Sequence, residues 1–299
     1  MTDPTLTANQ WSLGDLKFGR STGIEVTDFD YGGKPDTNAG DVSLPGEDGI
    51  RFGYDTLGSR TLTLELLVNQ YGAEEGRAAW RALSAVWNSQ SVRSKPGAVT
   101  YLRMNLPGNS GPLRAYGRPR KFSAVTSKNW VGVNSGAIQI AADFVAADDK
   151  FYSDTEVSNT LSLVPDTAGG FTWDITWPVY FQPGGARSDL VFNDGESATW
   201  PVFEFQGPIA NPEVGYVGTD LKLKLATSLT AGEKVTIDTR PWVRTVTTDA
   251  GGSYAGYLTG NRMSEMALPT GQTEIAFRGT DNTGTARCTI RFRSAYSTP

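Results

Sequence analysis

The chain contains no histidine and a single cysteine, Cys288. Without histidine there is no Ser-His-Asp or Cys-His activation of a nucleophile, no imidazole metal ligand and no imidazole pH switch. One cysteine excludes an intrachain disulfide. Ala286, Cys288, Ile290 and Phe292 alternate with polar residues, so Cys288 reads as a thiol buried on a strand, where free cysteine packs as a small hydrophobe. No segment approaches the ~18 consecutive apolar residues of a membrane span. Met1-Thr-Asp-Pro-Thr-Leu-Thr7 has neither the basic nor the apolar region of a secretion leader. The sequence therefore predicts no membrane partner and synthesis in a cytoplasm. Positive charge is scarce: 27 Lys and Arg stand against 32 Asp and Glu, net −5. An acidic field opposes nucleic-acid binding by the whole molecule. Neither a G-x-G-x-x-G nor a G-x-x-x-x-G-K-[ST] phosphate loop occurs. Asp28-Phe-Asp30 begins like a calcium loop, but its twelfth position is Ala39, where the loop needs a bidentate Glu. No cofactor and no metal site are expected.

What is present is turn chemistry and strand periodicity. The 299 residues include 34 Gly and 16 Pro, which punctuate many short elements. Mean hydropathy is −0.32, with enough apolar residues for sizeable cores. In Arg60–Val68, Leu62, Leu64 and Leu66 share one face. Ala79, Trp80, Leu83, Val86 and Trp87 form one helical stripe, predicting a single helix over 73–88 packed on a sheet through its tryptophans. Glu74 and Glu75 suit its first turn. Val99–Met104 and Leu113–Phe122, separated by a Pro/Gly-rich loop, predict a β-hairpin. Ser135–Phe144 is a further strand. Beyond residue 150 the chain becomes turn-prone. Strict alternation from Phe171 to Phe181 and short strands from Leu190 to Phe292 then predict a β-sandwich.

Several segments in order resemble one protein family. They are Leu44-Pro-Gly-Glu-Asp-Gly49, the acidic-aromatic junction Ala141–Ser153, Phe171-Thr-Trp-Asp-Ile-Thr-Trp-Pro178 and Trp200-Pro-Val-Phe-Glu-Phe-Gln-Gly-Pro208. Asn211-Pro212, read as a turn, and Ile237-Asp238 follow. This series is similar to the distal tail proteins of siphovirus-type bacteriophages. The resemblance implies a mainly β, two-domain fold. Its first domain (1–152) is β-rich, carries the helix and forms a ring; its second (153–299) is a galectin-like β-sandwich. It also implies a non-enzymatic role as a minor tail protein in the virion. There the homo-oligomeric ring, six copies, joins the tail-tube or terminator-side protein to a tail-tip or baseplate hub protein. Receptor-binding proteins are further partners, and DNA only passes through the axial channel.

Charge clusters supply the candidate contacts. Arg103, Arg114, Arg118, Arg120 and Lys121 gather on the predicted hairpin with Tyr101 and Tyr116. Basic and aromatic residues together can hold a single strand, or can meet acids on a neighbouring subunit. Asp143, Asp148 and Asp149 are the acidic complement in the second reading. The expected inter-subunit residues are therefore Arg114, Arg118, Arg120, Lys121, Asp143, Asp148 and Asp149. Two rival functions remain open: a carbohydrate-binding adhesin that stacks sugars on an exposed tryptophan of the second domain, which holds Trp173, Trp177, Trp200 and Trp242, and a carboxylate-dependent glycan hydrolase. Alternation with Phe171, Ile175, Val179 and Phe181 assigns Trp173 and Trp177 to a core face. No catalytic residue is assigned.

Overall fold

Apolar residues spaced two apart draw the first half of the chain into antiparallel ladders. The computed structural model describes residues 3–124, 130–163 and 188–299. The chain divides into two units, Met1–Asp154 with Tyr296–Pro299, and Thr155–Ala295.

In the first unit, β1 (Gln10–Leu13), β2 (Leu16–Gly19) and β3 (Ile24–Asp30) lead into an arm. The arm carries four two-residue strands: β4 (Thr37–Asn38), β5 (Val42–Ser43), β6 (Ile50–Arg51) and β7 (Thr56–Leu57). They pair only with one another, β4 with β7 and β5 with β6. The chain then re-enters the sheet as β8 (Thr61–Asn69). Helices α1 (Ala73–Asn88) and α2 (Gln90–Arg93) follow. Next come β9 (Thr100–Asn105), β10 (Leu113–Ala124), the short helix α3 (Trp130–Ser135), β11 (Ala137–Ala146) and β12 (Phe151–Ser153).

Neighbours run β11-β8-β3-β2-β1-β9-β10, and β10 also pairs with β11. The ladder thus closes into a barrel, which removes the unpaired edges that an open sheet exposes. β10 can serve both neighbours because it is long: Leu113–Gly117 pairs with β9 and the remainder with β11. Its register shifts between Pro119 and Phe122, a bulge that accommodates a proline with no N–H to donate. Leu62, Leu64, Leu66 and Val68 of β8 are buried together with Phe18, Leu102 and Phe144. Helix α1 seals this core with Leu83 and Trp87, whereas Trp80 is only half-buried. Trp80 packs against the margin of this core, as do Ala79 and Val86, and its remaining surface lines a groove. Helix α3 is an addition to the sequence reading. Its six residues, WVGVNS, are too short to show a helical period.

The second unit consists of two facing sheets. One runs β13 (Val157–Ser162), β23 (Arg287–Phe292), β15 (Val202–Gln206), β19 (Lys234–Asp238) and β20 (Thr245–Thr248). The other runs β14 (Ser188–Asn193), β22 (Gly271–Thr280), β16 (Ile209–Tyr216), β17 (Lys222–Leu225) and β21 (Leu258–Gly260), with β18 (Ser228–Leu229) beside β16. Phe203, Phe205 and Ile290 of the first sheet share a core with Val214, Leu223 and Phe277 of the second. Phe205 stacks on Phe277 at 5.8 Å between centroids. This is sandwich packing. Gly207-Pro208 carries the chain from one sheet to the other. A Cβ at Gly207 would lie 2.2 Å from the Thr230 carbonyl oxygen, so only glycine fits there.

Asn211-Pro212 does not form a separate turn. It lies inside β16, where the register shifts between Ala210 and Glu213 and Asn211 has φ +51°. A bulge gives proline a place within a strand that a regular ladder would deny it. The alternating stretch Phe171–Phe181 lies outside the described residues. Cys288 is fully buried, and burial raises its thiol pKa far above the usual value, reinforced by the nearby charge of Glu204. The folded protein is expected to resist thiol reagents and to react only on denaturation, as a colorimetric thiol assay would show.

Candidate functional site

The β9–β10 hairpin sets two like charges directly opposite each other: Arg103 faces Arg114, and two pairs further along, on the same face, Tyr101 faces Tyr116. Facing arginines repel unless an acid joins them. Asp154, the last residue of the first unit, does so. Arg103 donates from Nε and Nη2 to its two carboxylate oxygens at 3.0 and 2.6 Å. Arg114 Nε donates to Oδ1 at 2.9 Å. The N-terminal segment closes the cluster. Asp3 lies 3.3 Å from Arg114 Nη2 and accepts from the Tyr101 hydroxyl at 2.9 Å. The Pro4 carbonyl accepts from Arg103 Nη1 at 2.7 Å. Arg114 also stacks over the Tyr101 ring, 4.5 Å from its centroid. Both arginines are buried, at 5% and 6% exposure. Burial alone would raise the Asp154 pKa, but the Arg103 hydrogen bond and the Arg114 charge outweigh it and hold the carboxyl below its ordinary value.

An aromatic chain links this clamp to the acidic segment. Tyr116 packs edge-on against Tyr101 and Tyr152. The Tyr152 hydroxyl donates to Asp148, which also accepts from the Lys150 backbone N–H. Burial pushes the Asp148 pKa up to about 6, more than the Tyr152 and Lys150 hydrogen bonds lower it. An acid whose folded pKa lies above its unfolded value costs stability as pH rises between the two, here from about 4 to about 6, and the cost persists above that. Asp148→Asn is therefore expected to stabilise the protein by on the order of 2 kcal/mol at pH 8 and to flatten this part of the profile. Chemical denaturation at pH 4 and pH 8 measures it.

The remaining candidates lie in different surroundings. Arg118 donates to the carbonyls of Ala98 and Lys95 at 2.5 and 2.6 Å, holding the segment after α2. Arg120 and Lys121 are exposed. Asp143 is half-buried; its carboxylate accepts from the Thr63 hydroxyl and its carbonyl from Trp87 Nε1. Asp149 is half-buried. Sequence reading gathered the hairpin arginines as one basic surface, whereas the structure divides them. Arg103 and Arg114 point into an internal clamp, Arg118 ties a loop, and only Arg120 and Lys121 present their charge outward. Asp3 and Asp154 escaped the sequence reading. The available signal was the facing arginine pair, which requires a counterion.

Trp200 and Trp242 are half-buried rather than fully exposed platforms; Trp173 and Trp177 lie outside the described residues. Among the described residues, no group of three or more His, Cys, Asp or Glu could hold a metal ion, and no helix is long and apolar enough to cross a membrane.

No protein-family model matches the sequence, and no curated protein does. Solved structures do match. One is described as the crystal structure of SPP1 Dit (gp 19.1), a paradigm of the hub adsorption apparatus in phages infecting Gram-positive bacteria. It superposes with a TM-score of 0.58 at 14% identity over 96% of this chain and 98% of that one. Two structures of the phage P2 baseplate in its activated conformation, with Ca and with Sr, each superpose with a TM-score of 0.52. Their identities are 10% and 9%, over 94% of this chain and 97% of theirs. Across nearly its whole length, the chain has the mainly β fold of phage hub and baseplate proteins.

Proposed function

We propose that this chain is a structural hub of a bacteriophage tail tip, not an enzyme. The observation that carries the reading is the extent of the likeness: 96% of this chain and 98% of a phage hub protein superpose. A shared domain alone would leave one of the two partly uncovered. In this reading copies of the chain form a six-membered ring around an axial channel. The ring joins the tail-tube side to a tip or baseplate protein, and the genome passes through without being bound. Receptor-binding proteins are further partners in this reading. The chain is made in the host cytoplasm and resides in the virion.

The geometry suits such a role. The closed ladder from β11 round to β10 offers no edge strand of its own for uncontrolled pairing, which leaves side chains and the arm to make specific contacts from this part of the chain. Arg120 and Lys121 are the exposed basic residues available to meet a neighbour's acids, where charge complementarity fixes register more than it adds affinity. Gold-labelled antibody raised against the chain is expected to decorate the distal end of the tail in particles containing it. Labelling along the shaft or on the capsid would refute the assignment.

A further inference from the structure

The arm between β3 and β8 exposes apolar side chains that none of the described residues covers. Phe52 is 79% exposed and Tyr54 96%; Ile50 and Val42 are exposed as well, on opposite faces of the ribbon, since Val42 pairs with Arg51 and Ile50 with Ser43. Scattered exposed apolar residues are normal, but two aromatic side chains left almost wholly exposed two residues apart, on a ribbon whose strands pair only with one another, mark an interaction surface. The arm is also acidic: residues 31–58 contain Asp36, Asp41, Glu47, Asp48 and Asp55 against Lys34 and Arg51. A surface of matching chemistry lies elsewhere on the same unit. Along α1 and α3, Arg77, Trp80, Arg81 and Ser84 line an open groove of about 710 Å³, with Val133 contributing apolar wall. Arg93 and Lys95, on and just after α2, and Arg120 and Lys121 on β10 are also exposed. An aromatic wall beside guanidinium groups can take aromatic side chains and carboxylates together.

We propose that the arm of one copy docks in the α1–α3 groove of the next, with Phe52 or Tyr54 against Trp80 and the arm's acids against Arg77 and Arg81. The occupant is a second copy of this chain because acidic-apolar arm and basic-aromatic groove are complementary and occur on the same molecule. Two different surfaces meeting make a heterologous contact, and repetition of such a contact closes a ring when its rotation permits. The inference depends on the hub reading only for the number of copies.

The test uses Cys288 as a silent background, since its thiol is buried. The full chain carrying Ser43→Cys on the arm is mixed with the full chain carrying Ser84→Cys in the groove and treated with a short bismaleimide. Covalent dimers are expected from the mixture and not from either variant alone. Adding Arg77→Glu and Arg81→Glu to the groove variant is expected to cut the yield at least tenfold, while circular dichroism confirms an unchanged fold. Light scattering on the unmodified protein separates the two ideas. Assembled protein without the mixed cross-link overturns the arm–groove contact and leaves the hub reading intact. Cross-linking by one variant alone also overturns it, because the contact would then be between like surfaces. Mixed cross-links in a protein that forms open filaments support the contact and count against the ring. A protein that remains monomeric at high concentration and yields no cross-link overturns the contact.

Discussion

Asp154→Ala is expected to destabilise the first unit by roughly 3–5 kcal/mol, the cost of leaving buried charge without its partner. Asp154 accepts hydrogen bonds from both Arg103 and Arg114 and lies closest to each. The two arginines are buried, so water cannot replace it; Asp3 approaches both, at 3.8 Å from Arg103 and 3.3 Å from Arg114, but it is the more exposed acid and would be left as one carboxylate for two guanidinium groups. For a unit of this size the loss corresponds to a fall of roughly 10 °C in melting temperature. Calorimetry should show the shift in the transition of the first unit. The pH dependence follows from the direction of the Asp154 pKa. A carboxyl held below its unfolded value contributes stability that is complete above the ordinary carboxylate range. That stability is lost as pH falls through the lowered folded value. The Asp154→Ala protein should therefore lack this part of the acid sensitivity shown by the parent. A variant as stable as the parent at neutral pH would show that the arginines are satisfied without Asp154.

Trp87→Ala is the second substitution with a large expected effect, about 3–5 kcal/mol. Trp87 is buried against Phe18 and Phe122, with ring centroids at 6.5 and 6.1 Å. Its Nε1 donates to the Asp143 carbonyl at 3.2 Å. Truncation removes the transfer energy of the ring, opens a cavity between helix and barrel and leaves a strand carbonyl unpaired. Helix α1 has no side-chain N-cap, since Gly72 precedes it, so tertiary packing carries most of its stability. Loosening α1 also loosens the groove that Trp80 and the arginines line. Both urea stability and assembly are expected to suffer, whereas Trp80→Ala, at a half-buried site, should impair assembly with a much smaller loss of stability.

The elements that were legible in the sequence are those whose burial follows a period. Leu62, Leu64 and Leu66 alternate and are buried as β8; the stripe from Ala79 to Trp87 is α1 over Ala73–Asn88. The hairpin was visible because a Pro/Gly loop separates two apolar-alternating runs, now β9 and β10. What stayed hidden depends on distant partners or on too few residues. Two-residue ribbons in the arm have no period to detect, and neither has the single turn and a half of α3. Trp80 joins the core only at its margin, because a stripe reports which side of a helix is apolar, not how much of that side the sheet covers. Asn211-Pro212 looked like a turn because bulges use the same residues. For the charged residues, sequence proximity grouped Arg103 and Arg114 with Arg120 and Lys121, but the long-range return of Asp3 and Asp154 to the start of β10 decides which charges are internal.

The most direct test of the account is the mass of the purified chain by light scattering on a sizing column, with negative-stain images of the same peak. The hub reading predicts a particle of about six times the 32.2 kDa chain, seen end-on as a closed ring with an axial hole. A population that remains monomeric at high concentration and when supplied with its tail-tube partner, or that forms only two-fold dimers without a channel, would contradict it.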